Sequence, residues 1–293
     1  MSIARPISRP ISRPISRGIV RGDAIDPDAA AWIAAVEAAD GEALEPGILE
    51  ATSTLFSGLK NTQSRVAGRS NWDAMDSLGI LGVPRTIDGG LIAVIGPNAI
   101  NENPFVSGDI NRGEGWQGTT AGAGKNLNFP TLLRGSAISD LGCGFYFADP
   151  GTAGLVFGAG GTDDGSFTCS RVGARASNPN NQRHFLPDSG DATLVDSFSY
   201  LGVSQIDGDH KIAGTAGGEL IVRTVPVTPN SPSTELAGRN HRVFNFTSSS
   251  SGGPANSPAN ATLGLWHFGK AHDPETVKPL VDAFFDSIQS ILA

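Results

Sequence analysis

The sequence is poor in the residues that usually announce an enzyme, a disulfide scaffold or a membrane protein. Its 293 residues include only two cysteines, Cys143 and Cys169, and neither sits in a Cys-x-x-Cys pair. Two thiols so placed do not form a disulfide framework, and they are expected to be free, buried core fillers. No apolar run approaches the roughly 18 residues that a membrane span needs. The N-terminal residues, Met-Ser-Ile-Ala-Arg-Pro, lack the apolar stretch of a secretory signal. A soluble protein made in a cytoplasm, with no membrane insertion, is expected.

Catalytic signatures are equally sparse. Ala123-Gly124-Lys125-Asn126 fails as a phosphate loop, because Thr119 stands where the first glycine belongs and Asn126 replaces the magnesium-binding hydroxyl. There is no Gly-x-Ser-x-Gly elbow and no His-Glu-x-x-His. No strand-like segment carries the closely spaced carboxylates of many sandwich-fold glycosidases. Asp207-Gly208-Asp209-His210 and Thr162-Asp163-Asp164-Gly165 have cation-binding atoms, but Asp-Gly is first of all a hairpin-turn pair. His267, between Trp266 and Phe268, is expected to face solvent. The expectation is therefore a protein that is not an enzyme and that holds no metal or cofactor. Trp116, in Gly113-Glu114-Gly115-Trp116-Gln117-Gly118, is the one aromatic suited to stack on a sugar ring, although ordinary packing is the more favoured reading.

What the chain has in quantity is glycine and one-sided charge. Of 38 glycines, thirty fall between Thr86 and Lys270, eight precede that span and none follow it. Tight turns between many short strands, with helices at both ends, follow from that distribution. The net charge of −8 is split: residues 1–22 hold five arginines and no acid, which leaves −13 on the remainder. A basic tail on an acidic body binds something acidic. Nucleic acid is the less favoured partner, and neighbouring protein the more favoured.

That tail is a repeat. Arg-Pro-Ile-Ser runs three times, from Arg5, Arg9 and Arg13, and Arg17-Gly18-Ile19 keeps the phase. A proline at every fourth position forbids helix and pushes the preceding arginine into extended conformation. Ile7, Ile11, Ile15 and Ile19 then share one side of a ribbon with Arg5, Arg9, Arg13 and Arg17. Composition alone favours a disordered tail; the alternative is a strip that lies in a groove on another subunit, isoleucine into pockets and arginine onto carboxylates.

Four regions follow: an arm at 1–23, a short-helix region at 24–85, a β-sandwich at 86–270 and a C-terminal helix at 271–293. Asp26-Pro27-Asp28 is a helix start, with a capping aspartate and proline at the first position, and Gly41 is the stop. A second helix begins near Pro46. A third, short one is expected after Ser70-Asn71, with Trp72, Met75 and Leu78 inward. Strands are expected at Leu91–Ile95, Cys143–Phe147, Leu155–Phe157, Phe167–Val172, Leu194–Leu201, Leu220–Val227, Val243–Phe246 and Leu263–Phe268, giving a jelly-roll sandwich. The last helix presents Val277, Leu280, Val281, Phe284, Phe285 and Ile288 on one face, and Pro279 sets the start of its body. That face needs cover, from the sandwich or from a partner subunit.

The order of these pieces resembles a family of bacteriophage virion proteins with a concanavalin A-like sandwich. The likeness is carried by the run from Asp26 to Gly41, by Phe105-Val106-Ser107-Gly108-Asp109-Ile110-Asn111-Arg112 before a glycine-rich stretch, and by Val156-Phe157-Gly158-Ala159-Gly160-Gly161. The ending Leu263-Gly264-Leu265-Trp266-His267-Phe268-Gly269-Lys270-Ala271 followed by a helix completes it. It spans most of residues 24–293 and leaves out the arm. The resemblance implies a tail-fibre or tail-tip component located in the virion, with other virion proteins and further copies of itself (a trimer, for instance) as partners and host surface glycan as a ligand. It brings no catalytic residues. A capsid decoration protein laced down by the arm is the alternative, and a glycan depolymerase the third.

Overall fold

The computed structural model describes residues 24–64, 66–121, 124–129, 141–149, 155–161, 168–175, 178–185, 198–199, 210–216, 219–222, 225–227, 241–244, 260–270 and 273–293. The arm, the turn at Thr162–Gly165 and Asp207–Asp209 of the other cation-like turn lie outside that set, whereas His210 of that turn begins a strand.

Local signals place the first helices. α1 (Pro27–Asp40) is capped by Asp26, whose carboxylate accepts from the backbone N–H of Asp28 and Ala29, and it ends on Gly41 in the left-handed region. α2 (Ile48–Asn61) packs Ile48, Leu55, Phe56 and Leu59 inward, with Phe56 between Trp32 and Trp72. The third expected helix is instead β1 (Met75–Ile80), preceded by a single turn at Asn71–Ala74. Its register slips between Met75 and Ser77, so Met75 and Leu78 both reach the same core. A β-bulge has here produced a spacing of three that reads as helical. The expected strand at Leu91–Ile95 is also corrected. A short α3 (Ile87–Gly90) precedes it, and Ile95 makes only an isolated bridge to Leu78. Its backbone groups go elsewhere: the Ile92 carbonyl accepts from the Trp32 indole, and the Ala93 N–H donates to Asn98.

Between these elements and a C-terminal helix, the described strands all pair antiparallel, and a single 3-10 turn stands at Ser107–Asp109. The strands are β2 (Ile100–Asn103), β3 (Ile110–Asn111), β4 (Gly115–Gln117), β5 (Asn126–Phe129), β6 (Leu141–Asp149), β7 (Leu155–Gly161), β8 (Thr168–Arg175) and β9 (Asn178–Phe185). They continue with β10 (Phe198–Ser199), β11 (His210–Ala216), β12 (Glu219–Val222), β13 (Val225–Val227), β14 (His241–Val243) and β15 (Thr262–Lys270). One sheet runs β13-β12-β11-β6-β15-β4-β3, with β1 also on β15; the other runs β10-β9-β8-β7-β14-β5-β2. Most expected strands are present among the described residues: the described part of Leu194–Leu201 is β10, and Leu220–Val227 holds the paired strands β12 and β13.

β15 is the central strand of the first sheet, and Ala261 to Gly269 are all buried. On one side Phe268 meets Phe145, and Trp266 covers Gly79 so closely that a Cβ there would lie 2.0 Å from the indole. On the other side Leu265 joins Leu78, Ile80 and Tyr146 beneath the helices. His267 is therefore fully buried rather than facing solvent, because its strand is covered on both faces.

The cover is α4 (Pro274–Leu292), with Val277, Val281, Phe284, Phe285 and Ile288 buried. Leu280 is half-buried and packs over Gly58 of α2. The chain's own sheet and helices thus cover this face. α4 also starts one turn earlier than Pro279 suggests. Asp273 makes no side-chain cap; its backbone N–H donates instead to Oδ1 of the buried Asn71 (2.8 Å), whose Nδ2 reaches Thr62, Gln63 and Thr276. The Thr276 and Val277 N–H groups then bond to the Asp273 carbonyl, so the first turn forms ahead of the proline. No described helix is long and apolar enough to cross a membrane.

Phe284 sits edge-on to Phe285 at 5.2 Å in this enclosed layer. Phe284→Asp is expected to cost at least about 4 kcal/mol, since it both opens a cavity and strands a charge. Insoluble expression, or a steep fall in melting temperature, checks this; an unchanged melting curve would show the face is dispensable.

Candidate functional site

The predicted site residues separate into three groups. Arg5, Ile7, Arg9, Ile11, Arg13, Ile15, Arg17 and Ile19 lie outside the described residues. The C-terminal helix residues form an internal packing face. Trp116, the candidate sugar platform, is fully buried: Phe105 lies 5.1 Å away, and its indole presses on Gly90, where a Cβ would lie 2.2 Å from the ring. It therefore presents no face to a ligand: ordinary packing is the reading that holds, and the sugar platform is corrected. Phe105 in turn reaches Phe244 at 4.8 Å and so links β4 of one sheet to the end of β14 in the other.

The layer of α1, α2 and α4 is strongly acidic. Residues 24–61 and 271–293 hold eleven carboxylates against Lys60 and Lys278, a net −9. Both lysines are committed within it. Lys60 binds Asp26 at 2.7 Å together with Asp28, and lies 4.7 Å over the Trp72 ring; Lys278 pairs with Asp282 one turn on. Burial works against ionisation of Asp26, but the Lys60 contacts and two backbone N–H donors outweigh it and lower its pKa. At the α1–α2 connection Glu45 accepts from the two terminal Arg112 guanidinium nitrogens at 2.6 Å and from Arg85 at 2.8 Å. The bidentate Arg112 contact is the main reason the Glu45 carboxyl is held down at about 2. Asp28, Glu42, Glu50 and Asp286 are exposed on this layer.

A second polar feature lies on the other sheet, and sequence reading missed it. On β5, Asn126 is fully buried and Asn128 nearly so, and both Asn126 amide atoms and the Asn128 Oδ1 lack a hydrogen-bond partner. An asparagine pair around an apolar residue carries no motif, so nothing in the sequence distinguishes it.

Tyr146 stacks on Phe285 at 3.7 Å, and burial, reinforced by Asp282 and Asp286, pushes its phenol up to about 12. Among the described residues no three His, Cys, Asp or Glu side chains gather as metal ligands.

No family model and no curated protein matches the chain. Solved structures similar to it include Trypanosoma rangeli sialidase as a covalent intermediate with 2,3-difluorosialic acid. That match has 11% identity and a TM-score of 0.47, over 83% of this chain and 39% of that one. The same enzyme with sialic acid gives 11%, 0.45, 83% and 38%, and a mutant displaying trans-sialidase activity gives 11%, 0.42, 81% and 38%. The chain spans about two fifths of the length of these structures. They correct the expectation that the chain is not an enzyme. That expectation rested on the missing catalytic signatures, the carboxylate pair among them, and the similar structures are those of sialidases. At 11% identity they assign no activity, substrate or residue to this chain.

Glu45 supplies a pH test. Its folded carboxyl titrates below its ordinary value, so its stabilisation is complete above about pH 5 and disappears as pH falls toward 2. Glu45→Gln is expected to lower the melting temperature at pH 7, with the gap to the parent closing between pH 5 and pH 2. A gap independent of pH would assign the loss to packing.

Proposed function

We propose that this chain is a bacteriophage virion structural protein, a tail-fibre or tail-tip appendage anchored by its N-terminal arm and facing host surface glycans. In this reading its two antiparallel sheets close into a jelly-roll, concanavalin A-like sandwich, for which the Phe105 contacts to Trp116 and Phe244 are the support.

The observation that carries the proposal is the separation of charge. Five arginines at Arg5, Arg9, Arg13, Arg17 and Arg21 precede a helical layer of net −9. An arm of +5 joined to such a layer is matched to the same layer on a neighbouring copy, or to an acidic virion partner. Reach favours a neighbour. Residues 5–25, if extended, span on the order of 70 Å at roughly 3.3 Å each, whereas a body of this size has a diameter near 50 Å, from a radius of gyration of about 18 Å. Proline lowers the entropy lost when the arm is ordered.

Removal of residues 1–22 is expected to leave a folded body that no longer enters particles. Arg→Gln at all five positions is expected to weaken incorporation less at high salt than at low, because screening over about 8–10 Å already removes the attraction. Particle composition measured by quantitative mass spectrometry decides it: normal incorporation of the truncated chain rejects the anchoring role.

A further inference from the structure

α1 is apolar on both of its faces. Ala29, Trp32, Ile33 and Val36 are buried in the core, while Pro27, Ala30, Ala31, Ala34, Ala35 and Ala38 are all exposed. At about 100° per residue these six exposed positions fall on one face roughly 140° wide, with Asp28 and Glu37 at its two margins. Ile25, at the entry to the helix, is 40% exposed and adds a large apolar side chain at that end. Helix propensity explains alanine on an outer face but not the lack of polar residues, since Lys, Arg, Glu and Gln are nearly as favourable there. The exposed positions of α2 show the contrast, for Glu50, Thr54 and Asn61 are all polar. An exposed apolar face with charged margins is the form of an interaction surface.

The chain carries a segment whose chemistry fits that face. Residues 5–19 repeat isoleucine and arginine, each at every fourth position. Extended at roughly 3.3 Å per residue, one repeat advances about 13 Å; at 1.5 Å per residue, Ala30 to Ala38 spans about 12 Å. Two successive isoleucines therefore match the length of the alanine surface. The charges match as well: from Ala24 to Leu59 the chain has seven carboxylates and no cation, against five arginines in residues 1–22. The Asp28 and Glu42 side chains, near the two ends of α1, are 57% and 69% exposed. The arm also joins the body just ahead of this helix, so two copies with α1 side by side can each give an arm and receive one, a closed exchange.

We infer that the outer face of α1 is the docking site for residues 5–19 of a second copy of this chain. This rests on the anchoring role proposed above and names the surface that receives the arm.

Size-exclusion chromatography with light scattering, on the full chain at low salt, is expected to show self-association that an excess of synthetic peptide of residues 5–19 disperses. Ala34→Lys places a long cation near the middle of the face without touching the core. Its melting temperature is expected to match the parent's, because lysine is a good helix former, while self-association weakens at least about tenfold through like-charge repulsion. Ala31→Lys is the second variant if the first is insoluble. Thr54→Lys makes the same change of charge at an exposed site on α2 and is expected to associate like the parent. A monomeric parent, association indifferent to the peptide, undiminished association of the soluble Ala34→Lys, or equal losses in Ala34→Lys and Thr54→Lys each overturn the docking site. Particle entry is read separately. If the chain lacking residues 1–22 fails to enter particles while the parent does not self-associate, anchoring stands on another virion protein and only the α1 site falls.

Discussion

Nine consecutive buried residues, Ala261 to Gly269, oblige the chain to cover β15 on both faces. A sheet with one wet face would have let Leu265 and His267 meet water. Here that face instead carries the helical layer, and much of the architecture is the means of fitting it. The register shift around Gly264 brings glycine under Phe285, where a Cβ would stand 2.7 Å from the ring. A side chain at that point would lift α4 off the strand. Asn71 then fixes the other end of α4 by accepting from Asp273 and donating to Thr276. Apolar burial supplies the driving force, at about 1.5–3 kcal/mol for each large side chain. The buried asparagine supplies placement, because its hydrogen bonds are satisfied in only one arrangement.

Placement of the acidic residues follows from the same constraint. Helices that bury one stripe against β15 must turn their charges outward, and one ion-pair cluster ties the layer together while another lies where it meets the rest of the chain. Lys60 ties α2 to the cap of α1, while Arg85 and Arg112 tie the α1–α2 connection to segments beyond β1. These pairs are partly buried and hydrogen-bonded, which makes them worth more than ordinary surface pairs. They also use up the local cations, so the exposed carboxylates of the layer keep a net field of one sign. In the proposed anchoring role that field would act on an arginine-bearing arm first, a matter of encounter and orientation more than of final affinity.

Features decided within a few residues were legible in the sequence. The aspartate cap, first-turn proline and terminal glycine of α1 involve only neighbours, and all three stand as read. The apolar face of α4 was equally plain, since its spacing is intrinsic to a helix. Features decided by distant partners were not legible. Met75 and Leu78 have helical spacing only because β1 is bulged against β15, and Gly79 is required by Trp266, nearly two hundred residues away. His267 looked like the polar member of an alternating strand, yet the far side of that strand is closed by α4. Trp116 had the composition of an exposed loop around it and was nevertheless drawn inward by Phe105 and Gly90.

The buried asparagines of β5 were illegible for a different reason. Both Asn126 amide atoms and the Asn128 Oδ1 lack a hydrogen-bond partner, and an absence of partners is a property of packing that no spacing in the sequence announces.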